Sequence, residues 1–553
     1  MTTENTKKTT KKELSAQSKM VTGSVWMTVG SISSRLLGLL YIIPWMAWMG
    51  NKETADAANA LFQIAYAPYA FSLSLATAGV PSAISKQVSY YNALGDYETS
   101  KLIYKKGMQL MAVTGVVAAI FMYLLAPLIA QGSPTVSAEN TTTVIRSLTP
   151  ALAMIPMMSV TRGFIQGHNT MAPSAISQVI EQAARVVFML LSVYIVRIVL
   201  GGSVTVAVSL STFAAFIGAV FAFGYLLNHL KKNSPVLNVE IDQEKVESKI
   251  STNQLLINII KTAIPFIVIA TGITVFQFVD QFTYEPIMER VSDLSAIDIQ
   301  RTYGISQANA HKLIMVIISF GAAMAIASVP LISDLMAKGN MKEVSRQFSN
   351  GVQLLFLVML PASVGMAVLA GPIYSVVYGY DAFGSSITMV SAYMSIFLSL
   401  YSLLGNSLQA ANQTRPAIYS LAAGVVTKIV TQYPMISMFS TFGMLASNML
   451  GFTVTCLLMM HMIHKTIGFN RQLLFRRILL MTILTAIMGI GTTLTRNGLM
   501  LFLNQESRMQ SLVIIAITAV VGVLIYGFLI LKTKLADRLL GSRVANIRRK
   551  LKI

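Results

Sequence analysis

Fourteen stretches of about twenty or more mostly apolar residues follow one another along this chain. A helix of that length crosses the hydrocarbon of a bilayer, and so many of them leave little chain for anything else. The stretches lie at about 22–49, 61–86, 106–131, 144–167, 173–199, 203–229, 256–284, 304–335, 350–371, 385–411, 417–437, 441–465, 474–496 and 510–533. Only 12% of the residues are charged and 54% are hydrophobic, with a mean hydropathy of +0.64. A soluble domain carries about a quarter charged residues, so lipid surrounds most of this chain. That balance excludes a soluble enzyme, a disordered scaffold and a secreted disulfide protein. The single cysteine, Cys456, sits in an apolar run and reads as a small buried hydrophobe.

An even number of spans places both ends of the chain on one side. The net charge of +20 tests this assignment. With the N-terminus in the cytoplasm, inside segments hold 31 Lys and Arg and outside segments hold 6. A miscounted helix would invert every later loop, so the positive-inside rule supports the count. The excess basic charge therefore reads as membrane orientation, with no nucleic-acid partner. The division expected is a cytoplasmic basic tail (1–21), an N-lobe (22–230), a cytoplasmic linker (231–255), a C-lobe (256–466), two further helices (467–533) and a second basic tail (534–553). The first tail runs directly into a span too long for a signal-peptide core and is expected to stay uncleaved. The last is expected to lie on anionic lipid or in water.

The two halves carry a repeat. Gln166-Gly-His-Asn169-Thr-Met-Ala-Pro173 and Gln409-Ala-Ala-Asn412-Gln-Thr-Arg-Pro416 share Q-x-x-N-x-x-x-P at an offset of 243 residues. At the same offset Ser177 pairs with Ser420, and Arg185 with Lys428. Gly95 with Gly107-Met-Gln109-Leu110 parallels Gly339 with Gly351-Val-Gln353-Leu354 at 244. Val80-Pro81 and Val329-Pro330 precede these and read as helix-interior prolines. Equivalent residues fall on the same side of the membrane, so the repeat is parallel. The fold class expected is an all-α integral membrane protein of 14 transmembrane helices. Two six-helix lobes are related by a pseudo-two-fold along the membrane normal, and two C-terminal helices follow. Such repeats place a substrate site near the midplane.

Charges within spans are costly and mark function. Arg35 lies in span 1, Glu181 and Arg185 in span 5, Asp280 in span 7, Lys312 in span 8 and Lys428 in span 11; Arg146 ends span 4. Glu181 and Arg185 stand four apart in the order that favours a helix pair, and read either as that pair or as cavity lining. Arg35, Lys312 and Lys428 have no local partner in sequence, and Asp280 is available to neutralise one of them. Two cations remain over, which fits a water-filled cavity that receives an anion better than one built for organic cations. Arg185 and Lys428, equivalent in the repeat, are candidates to clamp one phosphate or pyrophosphate. Asp280, Glu285, Glu289, Asp293 and Asp298 form the one acidic cluster outside and read as a solvated loop. Tyr41, Trp45 and Trp48 fit an aromatic belt. No Walker A loop, HExxH or nucleophile elbow is present, which predicts a transporter rather than an enzyme, with no cofactor or metal. Its energy would come from an ion gradient, the membrane potential or the substrate gradient.

Four motifs carry a family resemblance: Ser34-Arg35-Leu-Leu-Gly38, Gly95-Asp96-Tyr97-Glu98-Thr99-Ser100, Arg162-Gly163-Phe164-Ile-Gln166-Gly167-His168 and Gln178-Val-Ile-Glu181-Gln182. Over almost its whole length the chain resembles the MurJ-type lipid II flippases of the MOP (multidrug/oligosaccharidyl-lipid/polysaccharide) exporter superfamily, in the Gram-positive branch called YtgP. The resemblance implies a monomer in the bacterial plasma membrane that takes lipid II or a related polyprenyl-pyrophosphate glycan. Membrane lipids and the cell-wall synthesis machinery are its expected partners. A central cavity would accept the pyrophosphate, disaccharide and pentapeptide, and spans 13 and 14 would hold the polyprenyl tail. Alternating access would carry the head group outward, with the membrane potential as driver. Arg35 matches the family's span-1 arginine, Lys312 falls at its span-8 arginine, and Asp56 matches an acidic residue beginning span 2. Asp56 and Arg146 are assigned gate or secondary roles. The chain departs at Tyr41, where Gram-negative relatives carry a second arginine, and between Ala65 and Ala78, where a basic pair is missing. Arg185 and Lys428 are the candidates to replace that charge. The alternatives are a flippase for a capsule, teichuronic or sporulation-specific glycan, a MATE-type drug exporter and a membrane glycosyltransferase.

Overall fold

The computed structural model describes residues 22–131, apart from 36, 39–40 and scattered positions between 52 and 78, and residues 138–239 and 252–540. The basic tails 1–21 and 541–553, residues 240–251 of the linker and Asp56 lie outside the described residues. The described residues form helices and turns, with no strand among them.

The chain divides into two compact units, one formed by residues 25–271 and 329–338, the other chiefly by 272–328 and 339–553. The first unit contains α1 (22–35), α2 (Ile42–Met49), α3 (Val80–Ala93), α4 (Tyr97–Gln131), α5 (Ala138–Gly167), α6 (Ala172–Val193), α7 (Val204–Val239) and α8 (Thr252–Ala270). The second contains α9 (Gly272–Val291), α10 (Ala296–Gly304), α12 (Met341–Val368), α13 (Ala370–Tyr378), α14 (Ala382–Ala410), α15 (Thr414–Phe439), α16 (Thr441–Ile467), α17 (Arg471–Met500), α18 (Arg508–Lys532) and α19 (Leu535–Leu540). Helix α11 (His311–Ala337) begins in the second unit, and its residues from Val329 group with the first.

Ten described helices are long and apolar enough to cross a membrane, and an eleventh is added if α8 and α9 count as one span broken at Thr271. These account for expected spans 3–10 and 12–14. Expected span 11 falls on the 26-residue helix α15, which is not among these apolar helices, while expected spans 1 and 2 rest partly on residues outside the described set.

Small residues set the helix spacing. A Cβ on Gly30 of α1 would stand 2.8 Å from the Ala175 carbonyl oxygen on α6. A Cβ on Gly218 of α7 would stand 2.5 Å from the Glu181 carbonyl oxygen. Without a hydrophobic drive between helices in lipid, such close backbone approach supplies the packing. In the second unit Phe276 stacks on Phe452 with centroids 4.0 Å apart. The Tyr526 hydroxyl donates to the Leu357 carbonyl at 2.9 Å and ties α18 to α12.

Two details differ from the sequence reading. Pro81 stands in the first turn of α3, because Gly79 at φ 75° ends the preceding segment; Pro330 is helix-interior as expected. Trp45 is a core residue, 3% exposed, and its indole donates to the Ser211 hydroxyl at 3.0 Å, so it does not belong to an interfacial belt.

Candidate functional site

The repeat motif builds the same local turn twice. Asn169 (φ 58°) separates α5 from α6, and Asn412 (φ 63°) separates α14 from α15. Left-handed backbone is unfavourable for most L-residues but tolerable for asparagine. Each backbone N–H donates three residues back, Asn169 to Gln166 at 2.8 Å and Asn412 to Gln409 at 3.1 Å. Both glutamines are buried. Gly95 and Gly339 likewise adopt positive φ, and the residue after each, Asp96 or Asn340, caps the following helix. The two asparagine turns fix the starts of α6 and α15, which carry Arg185 and Lys428.

In the first unit, Glu181 pairs across helices. Arg162 on α5 donates to Glu181 at 2.8 Å and to the Ser177 hydroxyl at 2.8 Å. The expected Glu181–Arg185 helix pair is therefore not formed. Arg162, near the end of the fourth apolar stretch, is the counter-ion that the sequence did not single out; its position in the Arg162–His168 motif was the available signal. One turn beyond Glu181, the Arg185 guanidinium carbon lies 5.5 Å from the centroid of the Tyr66 ring. Tyr66 in turn stacks on Phe62 at 5.6 Å and 15° and meets Tyr69 at 5.3 Å. Arg185 and Tyr66 are partly exposed, whereas Tyr69 is 1% exposed. Arg35 is partly exposed and has no ion-pair partner among the described residues. Gly38, three residues on, faces the Gln182 amide of α6, so spans 1 and 5 adjoin. Arg146 stacks on the Tyr123 ring of α4 at 4.5 Å.

In the second unit, Lys428 and Asp280 are both 0% exposed and form an ion pair at 2.5 Å. The Asp280 carboxylate also accepts from Gln432 at 3.0 Å, Gln307 at 3.0 Å and Asn448 at 2.8 Å. The Lys428 ammonium donates further to Ser447 at 2.7 Å and to the Gln432 carbonyl oxygen at 2.5 Å. A buried charge survives only when paired and hydrogen-bonded, and both charges here are. Asp280 is thus a mid-helix residue of α9 rather than part of a solvated loop. Gln307, Gln432, Ser447 and Asn448 were missed in the sequence; each is a polar residue in an apolar run, with Gln432 one turn from Lys428. Lys312, in the first turn of α11, is exposed and has no ion-pair partner among the described residues.

The polysaccharide biosynthesis protein family matches residues 20–336, and the MatE family matches residues 308–434. Among solved structures, a MATE in complex with MaL6 has a TM-score of 0.67 at 15% identity, covering 83% of this chain and 97% of that one. A MOP superfamily transporter from Pyrococcus furiosus, described as having a binding pocket of reverse polarity, gives 0.65 at 15% identity, covering 82% and 96%. The fold is therefore that of a multi-pass, MATE-like membrane protein. The lipid II flippase MurJ of Bacillus subtilis is 32% identical over 544 residues, 96% of this chain and 99% of the relative. The stage V sporulation protein B of the same organism is 23% identical, over 75% and 77%. The chain belongs to the MurJ family of lipid II flippases, within the polysaccharide biosynthesis proteins.

Proposed function

We propose that this chain moves lipid II from the cytoplasmic to the outer leaflet of the plasma membrane. The observation that carries the reading is the 32% identity to MurJ across 96% of the chain. Fourteen transmembrane helices, in two six-helix lobes with a C-terminal pair that holds the polyprenyl tail, complete the reading, with both termini cytoplasmic. The protein acts as a monomer by alternating access, with no covalent chemistry, and works beside the cell-wall synthesis machinery.

Arg35, Arg185 and Lys312 are the residues we assign to the anionic head group. Each is at least partly exposed, and none has a carboxylate partner among the described residues. Lys428 and Asp280 are assigned to each other, and Glu181 to Arg162, because those pairs already satisfy their charges. Asp56 keeps its assignment as a gate residue on the resemblance alone, and Arg146 a secondary one. Uncompensated cations favour an anionic cargo over the organic cations of a drug exporter.

The test is depletion of the protein in its host, followed by probing lipid II at the outer face. Accumulation of inner-leaflet lipid II is the expected result. Normal surface lipid II, in a strain stripped of other flippases, would overturn the reading. It would favour another lipid-linked glycan, a class suggested by the 24% identity over 164 residues to the probable low-salt glycan biosynthesis flippase Agl15 of Haloferax volcanii.

A further inference from the structure

Arg185 is a cation held ready for an anion. The carboxylate one turn before it, Glu181, is already taken by Arg162 at 2.8 Å. No other ion pair to Arg185 occurs among the described residues. Its guanidinium lies at the end of an aromatic column, with Phe62 stacked on Tyr66 and the Arg185 guanidinium carbon 5.5 Å from the Tyr66 centroid. The column is anchored in the unit's core, because Phe62 is 7% exposed and contacts Trp45, which is 3% exposed. A guanidinium set against an aromatic ring keeps its N–H donors in its own plane, where they address two oxyanions side by side. Tyr41 and Tyr66 both pack against the core cluster that contains Tyr69.

We propose that Tyr66 is a positioning residue that presents Arg185 to the pyrophosphate of a polyprenyl-linked substrate. The inference rests on the flippase reading for its cargo class but not for the glycan. Tyr66 acts through Arg185 and touches no reacting atom.

The experiment uses the full chain in nanodiscs and measures binding of undecaprenyl pyrophosphate, which has no sugar, and of undecaprenyl phosphate. Arg185→Gln should weaken pyrophosphate binding about thirtyfold or more, the scale for losing a charge-assisted bidentate contact. Tyr66→Leu should weaken it about three- to fivefold, the scale of a partly exposed cation–π contact, and Tyr66→Phe, which keeps the ring, should stay within about twofold of wild type. In the Arg185→Gln background Tyr66→Leu should have no further effect. Preference for pyrophosphate over phosphate should fall in Arg185→Lys, which keeps the charge and loses the fork. Wild-type binding by Tyr66→Leu, or an undiminished effect of that change without Arg185, would overturn the proposal. If Tyr66→Leu fails to insert, Tyr66→Phe against Tyr66→Met decides, since Met fills the space without a ring. Subsite and cargo fail separately. Coupled loss of pyrophosphate binding with normal lipid II export would sink the lipid II reading and leave the subsite. Impaired export on depletion with an indifferent Tyr66→Leu would do the reverse.

Discussion

Arg185 and Lys428 occupy equivalent places in the duplicated sequence, one turn or more inside helices that start from the same asparagine turn, yet their surroundings are opposite. Lys428 is fully enclosed, paired with Asp280 and bonded to Gln432 and Ser447. Arg185 is partly exposed, set against a tyrosine ring, and its neighbouring carboxylate is engaged elsewhere. Both repeats carry a cation at this position, and the surrounding residues give it two different settings. In one unit the charge is consumed inside the protein, where it joins α9, α15 and α16. In the other it remains available. Position in a repeat therefore identifies which residues descend together, while the counter-ion inventory identifies which can meet a ligand. Lys428, engaged with Asp280, offers less to a clamp than its sequence counterpart Arg185, which has no ion-pair partner among the described residues.

The largest effect expected separates the two by stability. Lys428→Met leaves the Asp280 carboxylate buried without its counter-charge, which costs about 3–5 kcal/mol. Unfolding in detergent should show a strongly destabilised protein. Adding Asp280→Asn, which removes the orphaned charge and keeps an acceptor for Gln307 or Gln432, should recover most of the loss. A stable Lys428→Met protein would break the comparison, because the lysine would then not be consumed internally.

Arg185→Gln should do the opposite. It removes a partly exposed charge with no ion-pair partner among the described residues, so stability should change by no more than about 1 kcal/mol. Transport should fall by about tenfold or more, as expected when a charge-assisted contact to substrate is lost. Surface lipid II per unit of inserted protein is the measurement. Equal destabilisation by Arg185→Gln and Lys428→Met would show that both cations are structural.

Glu181→Gln sharpens the same contrast on a smaller scale. The Arg162–Glu181 side chains are 13% and 26% exposed, and loss of this partly screened pair should cost about 1–2 kcal/mol. Transport should persist, because Arg185 does not depend on Glu181 for its place. Had Glu181 neutralised Arg185, the same change would raise affinity for the anionic substrate, so substrate affinity distinguishes the two pairings.

The apolar runs, the basic loops and the repeated turns were legible in the sequence because each is set by local chemistry. Transfer to lipid acts on every residue of a span, and a left-handed turn restricts its own residue. Partner choice was not legible. Spacing favours Glu181 with Arg185, but the carboxylate meets Arg162, 19 residues back, through helix packing that no spacing rule contains. Asp280 and the acidic residues after it look alike in sequence, and only the tertiary placement of α9 puts Asp280 among Lys428, Gln432 and Asn448 while Glu289 and Asp293 stay exposed. Tyr66 carried no signal as a charge-site residue, since an aromatic in an apolar span reads as packing.

The smallest effects test the duplicated turns themselves. Asn169 and Asn412 hold left-handed backbone at φ 58° and 63°, where a Cβ-bearing residue without a polar side chain is penalised by about 1–2 kcal/mol. Asn169→Ala and Asn412→Ala should both destabilise, near the lower end of that range because asparagine already bears part of the strain, and Asn169→Ala by less because it also removes a buried unsatisfied oxygen. Glycine should differ between the two. The Asn169 side-chain oxygen is buried without a hydrogen-bond partner, so Asn169→Gly removes both strain and an unsatisfied acceptor. Asn412 is exposed, and Asn412→Gly removes strain alone. Melting temperatures of the four single variants should rank each glycine above its alanine, and at each substitution the residue-169 variant above the residue-412 variant. Alanine variants that differ by more than the glycine variants would mean that the two turns share a sequence pattern and not a common backbone requirement.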